Sequence, residues 1–437
     1  MDMSVWENYS DKQRKEYINY IRMYGELSRM FNQKSSNTGA PYLDSKFQET
    51  VYSRSFNAEA VDIGNTPHDM KSIISGKNIG IGIKTWLNSK PSYQKVMQLK
   101  SFKDEINAVK DDSEKLANKL AEIKNHKLEI DYNRLGLTED ENIYHYITRD
   151  RGNVVIQETA YPLIDIKSLR PVNRLSKSSK SFEFEDDFKK YKYTFGDSQI
   201  WMMFGESNDH TLIDKIKISI MDDPFDFLKK AFDAKRTGEI IVPKLENSYV
   251  DDKADAVYLP LYSYRHKGEL PSKSGLNAWN GASKSKNSNK ARPEAEVYIP
   301  IPREFWKKEP KWFNPNIDFT DYISYKKDTG KRSYTFNLHL PDGTVYPALV
   351  GQSGFKALET SPQNALGKWL LYKVLGLSRG TILTNDTFRR AGFDSVKIWH
   401  RNSDDYKNVW IDFAPVGTFE KFMNNQMNVT EDEFNNI

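Results

Sequence analysis

One short segment places the strongest constraint on how this chain folds. From residue 78 to residue 86 the sequence reads Asn-Ile-Gly-Ile-Gly-Ile-Lys-Thr-Trp. In an extended chain, alternate residues point to opposite faces, so the isoleucines share one face and the two glycines share the other face with Lys84. The pattern predicts a buried strand. Because glycine has no side chain, it also predicts an open space beside Lys84 that a metal ion or a DNA backbone could approach.

The remainder of the N-terminal half is predicted to be mixed α/β. Apolar residues at helical spacing predict helices, and short apolar runs predict further strands. A proline and a serine at residues 91 and 92 are predicted to open a long helix, or two consecutive helices, reaching residue 123. The other predicted helices cover residues 11–30 and 46–56, and the other strands cover 143–149, 154–158 and 191–195.

The C-terminal half has a different pattern. Residues 265–292 contain seven Lys or Arg residues and one acid, Glu269, among Ser, Asn and Gly, which predicts a basic surface loop. Short strands then follow, interrupted by one helix that Ser361 and Pro362 open and Gly376 closes. This predicts a small, mostly-β barrel. The boundary is placed near residues 245–255, which gives domains 1–248 and 255–437; the predicted strands cover 297–301, 333–340, 345–350, 396–400 and 409–413.

The absence of cysteine restricts the available chemistry. It excludes disulfides, thiolate zinc sites and a cysteine nucleophile, and only seven histidines remain. A metal would therefore bind mainly to oxygen ligands, which favours Mg²⁺ or Mn²⁺. The net charge of +4 is too small to indicate nucleic-acid binding by itself. No apolar run is long enough to span a bilayer, so no membrane association is expected and the protein is predicted to be cytoplasmic.

Two residues fit the requirements of metal-dependent phosphodiester hydrolysis. A common arrangement places an aspartate at the start of one strand, and an acid and a lysine two residues apart on the next strand. Asp69 precedes the glycine-rich strand that contains Lys84, but Gly82 occupies the position of the second acid. On the predicted following helix, Gln94 and Gln98 lie one turn apart, and either could supply the missing ligand.

At these residues the chain resembles the PD-(D/E)xK nuclease superfamily, as found in certain type II restriction endonucleases. The resemblance rests on Asn-Thr-Pro-His-Asp at 65–69, Ile-Gly-Ile-Gly-Ile-Lys-Thr-Trp at 79–86 and Gln-Lys-Val at 94–96, and it covers about residues 45–200. It implies an α/β nuclease core that uses Mg²⁺, with Asp69 as the metal ligand and Lys84 as the catalytic lysine. By the same resemblance Gln98 takes the place of a glutamate, and Glu49 is a supporting acid.

Ordinary structural roles compete with these assignments. An aspartate before a strand is often a cap or turn residue, and a strand lysine is often a solvated edge residue. Glu59 and Asp62 are interpreted as charged loop residues, with metal binding as the alternative. His145 and Arg149 share one face of a predicted strand and either stabilise the fold or contact DNA.

A second resemblance covers about residues 259–422. Lys-Ser-Gly-Leu-Asn-Ala-Trp-Asn at 273–280, Glu-Val-Tyr-Ile-Pro-Ile-Pro at 296–302 and Leu-Gly-Lys-Trp-Leu at 366–370 are similar to the B3-type pseudobarrel shared by plant transcription factors and some restriction enzymes. In that family two arms hold the DNA, and they correspond here to residues 273–292, the first arm, and residues 351–360, the second arm. The candidate DNA contacts are Lys273, Asn277, Asn280, Arg292, Gln352 and Lys356.

Together, the two resemblances imply a type II restriction endonuclease that cleaves both strands of double-stranded DNA. A homodimer would bring one active site to each strand, and a companion DNA methyltransferase is expected unless cleavage itself depends on methylation. Two alternatives stay open. The chain could be a catalytically inactive, sequence-specific DNA-binding protein, or a nuclease that nicks or repairs a single strand.

Overall fold

A computed structural model describes residues 4–31, 39–64, 66–88, 90–173, 175, 179–206, 209–237, 255–266, 268–281, 292–402 and 404–426. The chain divides into two compact units, one formed by residues 1–132 and 137–250 and the other by residues 133–136 and 251–437. The predicted boundary region, residues 245–255, lies outside the described residues except for Asp255. Among the described residues, no helix combines the length and apolar character that crossing a membrane requires.

The first unit is mixed α/β, as predicted. Its first helix starts with a capping box, in which Ser10 and Gln13 satisfy each other's backbone N–H groups. The described helices are α1 (Asp11–Glu26), α2 (Ser45–Phe56), α3 (Lys103–Ala108), α4 (Ser113–Leu135) and α5 (Pro224–Thr237). Short 3-10 helices cover Trp6–Asn8, Ser28–Met30, Lys100–Phe102 and Glu139–Glu141.

The strands of this unit form two sheets. The strands are β1 (Glu59–Ala60), β2 (Met70–Ile74), β3 (Lys77–Leu87), β4 (Ser92–Gln98), β5 (Ile143–Asp150), β6 (Asn153–Ala160), β7 (Arg170–Pro171), β8 (Ser181–Glu185), β9 (Lys190–Thr194), β10 (Gln199–Phe204) and β11 (Thr211–Lys217). The six-stranded sheet has the order β1-β2-β3-β5-β6-β11, in which only β3 and β5 are parallel. The five-stranded sheet has the order β4-β10-β9-β8-β7.

Strand β3 confirms the prediction from alternation, and both of its faces are covered. Its isoleucines are buried in a core with residues of α1 and α2. The glycine face, however, is filled rather than open. A Cβ atom at Gly82 would lie 2.6 Å from the ring of Tyr144, and one at Gly80 would lie 2.4 Å from the ring of His68. The glycines are therefore required by close packing, and the predicted space beside Lys84 is absent at these two positions.

The long helix predicted from residue 91 is wrong at its start. Residues Ser92–Gln98 form β4, which pairs antiparallel with β10, and α-helix begins only at Lys103. The apolar residues Val96 and Leu99 continue, by coincidence, the helical spacing of the apolar residues on α3 and α4. Leu99 is buried in the same core as those helices, directly after β4. The apparent helical stripe is therefore made of one strand and two helices.

The second unit is a curled seven-stranded sheet. Its strands are β12 (Val257–Pro260), β13 (Ile299–Pro300), β14 (Tyr334–His339), β15 (Val345–Gly351), β16 (Ala357–Thr360), β17 (Phe393–Trp399) and β18 (Asn408–Pro415). The order is β12-β17-β18-β14-β15-β16-β13, with only β14 and β18 parallel. The two edge strands, β12 and β13, contact each other, so the sheet is a nearly closed barrel, as expected for the pseudobarrel.

Helices cover parts of this barrel. They are α6 (Arg303–Lys308), α7 (Tyr322–Thr329), α8 (Ala365–Gly367), α9 (Asn385–Ala391) and α10 (Thr418–Met423), with 3-10 helices at Tyr264–His266 and Gly275–Asn280. The helix predicted to open at Pro362 instead begins at Ala365, and it continues from α8 into a π-helical segment, Lys368–Val374. Gly367 lies so close to the carbonyl group of Ala295 that no side chain would fit there.

Candidate active site and nucleic-acid interface

Asp69 is held at the start of β2 by hydrogen bonds to the backbone of β3. Its N–H group donates to the carbonyl of Ile81 at 3.0 Å, and its Oδ2 atom accepts from the N–H group of Ile83 at 2.6 Å. Burial raises the pKa of the Asp69 carboxyl group, while Lys84 and the Ile83 N–H group oppose that increase. The carboxylate is thus oriented and partly desolvated, and 18% of its side chain is still exposed.

Lys84 lies next to Asp69, as the sequence pattern requires. The distance from its Nζ atom to Oδ2 of Asp69 is 4.0 Å, and 27% of the Lys84 side chain is exposed. The ammonium group also lies 5.9 Å from the centre of the Tyr144 ring. The pairing of β2 with β3 therefore brings the Asp69 carboxylate close to the Lys84 ammonium group. Both groups reach solvent.

Two more carboxylates belong to this neighbourhood. Glu49 lies on α2, and its pKa is raised by burial and further by the negative charges of Asp69 and Asp62, while Lys46 opposes the shift. The Nζ atom of Lys46 lies 3.3 Å from Oε2 of Glu49. Asp62 also raises the pKa of Asp69. Asp62 therefore acts electrostatically on both Glu49 and Asp69.

The structure does not supply the missing second acid on β3. The space that a side chain at Gly82 would enter contains the Tyr144 ring, which stacks on Tyr161 at a centroid distance of 3.8 Å. Across the part of the chain that the structure describes, no three His, Asp or Glu side chains form a group that could hold a metal ion. Any cation here would therefore need ligands beyond such a group of side chains.

Gln98 lies at the end of β4, and the predicted helical position is wrong. Its Nε2 atom donates to the carbonyl of Asp197 at 2.6 Å and, more weakly, to that of Ser198 at 3.5 Å. These bonds hold the turn between β9 and β10. Gln94 is on the same strand and donates to the hydroxyl of Ser92 at 3.1 Å. Neither glutamine has a contact with Asp69 or Lys84 among the hydrogen bonds of the described residues.

His145 and Arg149 stabilise the first unit, and contact of His145 with DNA is excluded by its burial. His145 is fully buried, with Nε2 2.8 Å from the hydroxyl of Tyr17 and Nδ1 2.8 Å from Oε1 of Glu158. The other oxygen of Glu158 accepts the backbone N–H group of Val5 at 2.9 Å. Arg149 is half-buried and donates to the carbonyl of Pro41 at 3.5 Å.

Lys95 is a further basic residue near the site that the sequence interpretation missed. Burial lowers its pKa, and the nearby charges of Lys84 and Lys100 lower it further. The residue is on β4, which the sequence pattern assigned to a helix. Strand β4 belongs to the five-stranded sheet, so no local sequence pattern indicated that this lysine lies near Lys84.

The second arm is a tight hairpin between β15 and β16. Gln352, at its start, has a φ of 60°, and its Nε2 atom donates to Oε1 of Glu359 at 2.6 Å. Ser353 and Lys356 are exposed, whereas Phe355 is fully buried. Lys356 and Ser353 are thus available for contacts, while the amide of Gln352 is already bonded to Glu359.

In the first arm, Asn277 is a structural residue, and its predicted role as a base contact is wrong. The side chain is fully buried. Its Nδ2 atom donates to the carbonyls of Pro271 and Leu383 at 3.2 and 3.0 Å, and its Oδ1 atom accepts from the N–H group of Leu383 at 2.9 Å. Both amide donors are therefore used inside the fold.

The other first-arm residues reach the surface to different degrees. Lys273 is exposed, and Asn280 is half-buried with its Nδ2 atom donating to the carbonyl of Ser272 at 2.9 Å. Arg292 has 16% of its side chain exposed and lies 3.3 Å from Glu296 in an ion pair. The lysines between residues 284 and 290 lie outside the described residues.

The comparison with protein families identifies the second unit. A family model described as the NgoFVII C-terminal B3-like DNA-binding domain matches residues 254–402, about a third of the chain. The predicted B3 resemblance is confirmed over this range, and the barrel topology agrees with it. The match includes no part of residues 1–253, so the nuclease resemblance stays a prediction. No curated protein matches this chain.

Proposed function

We propose that this protein is a restriction endonuclease whose second unit recognises a sequence in double-stranded DNA. The observation that carries the proposal is the match of residues 254–402, which form a nearly closed barrel, to the DNA-binding domain of NgoFVII, a restriction enzyme. Exposed Lys273 and Lys356 would hold phosphates. Arg292, held by Glu296, and Asn280 have groups suited to base edges.

For the first unit we propose DNA hydrolysis at the site of Asp69 and Lys84. Asp69 is oriented by the N–H group of Ile83, and Lys84 is 4.0 Å from it with access to solvent. Lys84 would donate a hydrogen bond to the attacking water or to the scissile phosphate, and its charge would offset the negative charge that develops on phosphorus. Glu49 would support Asp69 from α2.

The carboxylates fit a Mg²⁺ ion that the substrate helps to coordinate. Mg²⁺ commonly takes one or two protein carboxylates together with phosphate oxygens and water. Asp69 would be its ligand, with Glu49 as the second carboxylate. When bound, the ion would polarise the phosphate and lower the pKa of water. The raised pKa values of both carboxyl groups also support this proposal, since burial is the main cause of both shifts and a cation would offset the cost of keeping buried carboxylates charged.

One observation favours the alternative of a catalytically inactive DNA-binding protein. No acid can take the place of Gly82 on β3 without displacing the Tyr144 ring. Gln98 lies at the end of β4, where its Nε2 atom donates to the β9–β10 turn, and no hydrogen bond of the described residues links it to Asp69 or Lys84. The nuclease proposal therefore depends on Asp69 and Glu49 as the carboxylates of the site.

The test is digestion of methylated and unmethylated phage DNA with Mg²⁺, followed by sequencing of the ends. Cleavage at one site in both strands is expected, and Asp69→Ala should remove it while sequence-specific binding is retained. Nicks in one strand would support the single-strand alternative. Specific binding without any cleavage would support the inactive protein. The effect of methylation would show whether a protective methyltransferase is needed, and sedimentation of the DNA complex would test for a homodimer.

A further inference from the structure

The segment before β14 carries a dense group of cations beside the second arm. Residues 326–332 read Lys-Lys-Asp-Thr-Gly-Lys-Arg, and the four basic residues, Lys326, Lys327, Lys331 and Arg332, are called here the basic flank. All four are exposed, and none has an ion pair within the described part of the chain. Asp328 is the one acid in this segment. Four unpaired cations within seven residues form a concentrated positive surface.

The register of the barrel places this segment against the second arm. Strand β14 pairs antiparallel with β15, and Tyr334 is opposite Val350. The chain just before β14 therefore runs beside the chain just after β15, where the second arm begins. A Cβ atom built on Gly351 would lie 3.6 Å from the Cβ atom of Ser333, which confirms that the two segments are adjacent.

Aromatic packing fixes α7 and the arm to each other. The buried ring of Phe355, within the arm hairpin, lies 5.0 Å from each of the rings of Phe319, Tyr322 and Tyr325. The indole N–H group of Trp306 donates to the carbonyl of Phe355 at 2.9 Å. Because Tyr322 and Tyr325 are on α7, the last turn of that helix, with Lys326 and Lys327, has a fixed position relative to the arm.

We propose that the basic flank binds DNA phosphates next to the recognition site and so extends the contact surface beyond the second arm. This inference rests on the proposed function of the second unit. Lysine and arginine side chains that are exposed and unpaired bind the phosphate backbone without reading sequence. The rigid attachment to the hairpin means that DNA held by Lys356 would pass close to the flank. Its effect is on affinity and salt dependence, and the preferred sequence is unchanged.

The experiment measures DNA binding by the full-length protein in EDTA, so that no cleavage occurs. The variants are Lys326→Ala with Lys327→Ala, Lys331→Ala with Arg332→Ala, and all four together. A matched control removes Lys115 and Lys119 of α4, which already pair with Asp112 and Glu122. Each duplex carries the preferred sequence found by selection with the wild-type protein. Unfolding temperatures should stay unchanged, because the substituted side chains are exposed.

The expected result is a smaller salt dependence of binding. The slope of log K against log salt should fall by about one for each phosphate that the variant no longer binds, with equal weakening for preferred and unrelated sequences. The control should keep the wild-type slope. A second expectation concerns duplex length, since trimming base pairs that flank the site should weaken the wild type and leave the fourfold variant almost unaffected.

Two results would overturn the inference. A fourfold variant with the wild-type slope would show that these cations do not touch DNA. A changed preferred sequence would show that they read bases. Failure of the proposed function is a separate result, because in that case the wild-type protein itself would select no sequence, whatever the basic flank contributes to non-specific binding.

Discussion

The candidate active site and the first arm of the barrel use polar side chains in opposite ways. In the active site, Glu49 and Asp69 are partly buried near each other, and their pKa values are raised. In the arm, Asn277 is fully buried, but its amide makes three hydrogen bonds with the backbone. A buried polar group whose hydrogen bonds are completed by the fold stabilises it, whereas a partly buried carboxylate whose pKa is raised by burial costs stability when it is charged.

The largest expected effect is on the cleavage rate, and it distinguishes the role of Lys84 from that of Lys95. Lys84→Ala should lower the cleavage rate by roughly 100- to 1,000-fold, because it removes a charge beside the reacting phosphate. Lys95→Ala should lower the rate by less, since Lys95 lies on β4, outside the β2–β3 hairpin that positions Asp69. Single-turnover digestion with saturating protein measures both rates. Equal reductions for the two variants would place Lys95 in the chemistry as well.

The second prediction tests whether Asn277 is a structural residue. Asn277→Ala removes three buried hydrogen bonds, which should lower the free energy of unfolding by about 3 kcal/mol. Lys273→Ala, in the same arm but exposed, should change stability by less than about 0.5 kcal/mol. Urea unfolding of both variants gives the comparison. An Asn277→Ala protein with wild-type stability and an altered preferred sequence would restore Asn277 as a base contact.

Strand β3 and Asn277 show what the sequence could and could not predict. Alternation placed the isoleucines of β3 in the core, because the period of a strand decides which face a residue occupies. An asparagine in a loop has no such period. The amide of Asn277 bonds to the backbone of Leu383, which lies about a hundred residues away in the sequence. The residue type alone therefore could not show whether this amide binds DNA or the fold.

The active site was predicted in part for a similar reason. Asp69 immediately precedes β2 and Lys84 lies on β3, so their proximity follows from a hairpin of local sequence. The contribution of Asp62 and Lys95 depends on how a loop and β4 pack, which no local pattern specifies. The error at residues 92–98 arose because the apolar stripe of one core continues through a strand, a turn and two helices.

A third prediction concerns the ion pair at the end of the first arm. Arg292→Ala should cost roughly 1 to 3 kcal/mol at one base pair and relax the preference there, because an anchored guanidinium can form two hydrogen bonds to guanine. Glu296→Gln would loosen the anchor and should reduce the same preference by a smaller amount. Selection from a random DNA library reads out both. Weaker affinity without any change in preferred sequence would assign Arg292 to phosphate binding.

The smallest expected effect is on the stability of the folded protein. It tests whether burial of the Asp69 carboxylate is destabilising. Burial raises the pKa of Asp69 above its ordinary value, so the folded protein binds a proton more readily than the unfolded chain. Stability from this group therefore increases as the pH falls from neutral toward the ordinary aspartate pKa. Asp69→Asn keeps an oxygen that can accept the N–H group of Ile83, but it removes the charge and its titration.

Asp69→Asn should consequently raise the unfolding temperature slightly at neutral pH without Mg²⁺ and abolish cleavage. The gain should shrink as the pH falls, because the wild-type carboxyl group then becomes neutral as well. Glu49→Gln should behave in the same way, since burial and Asp69 raise its pKa too. Thermal unfolding between neutral and mildly acidic pH measures the difference. An Asp69→Asn protein that is less stable than wild type at every pH would mean that Asp69 is an ordinary structural cap of β2. Asp69 would then stabilise the fold, as Asn277 does.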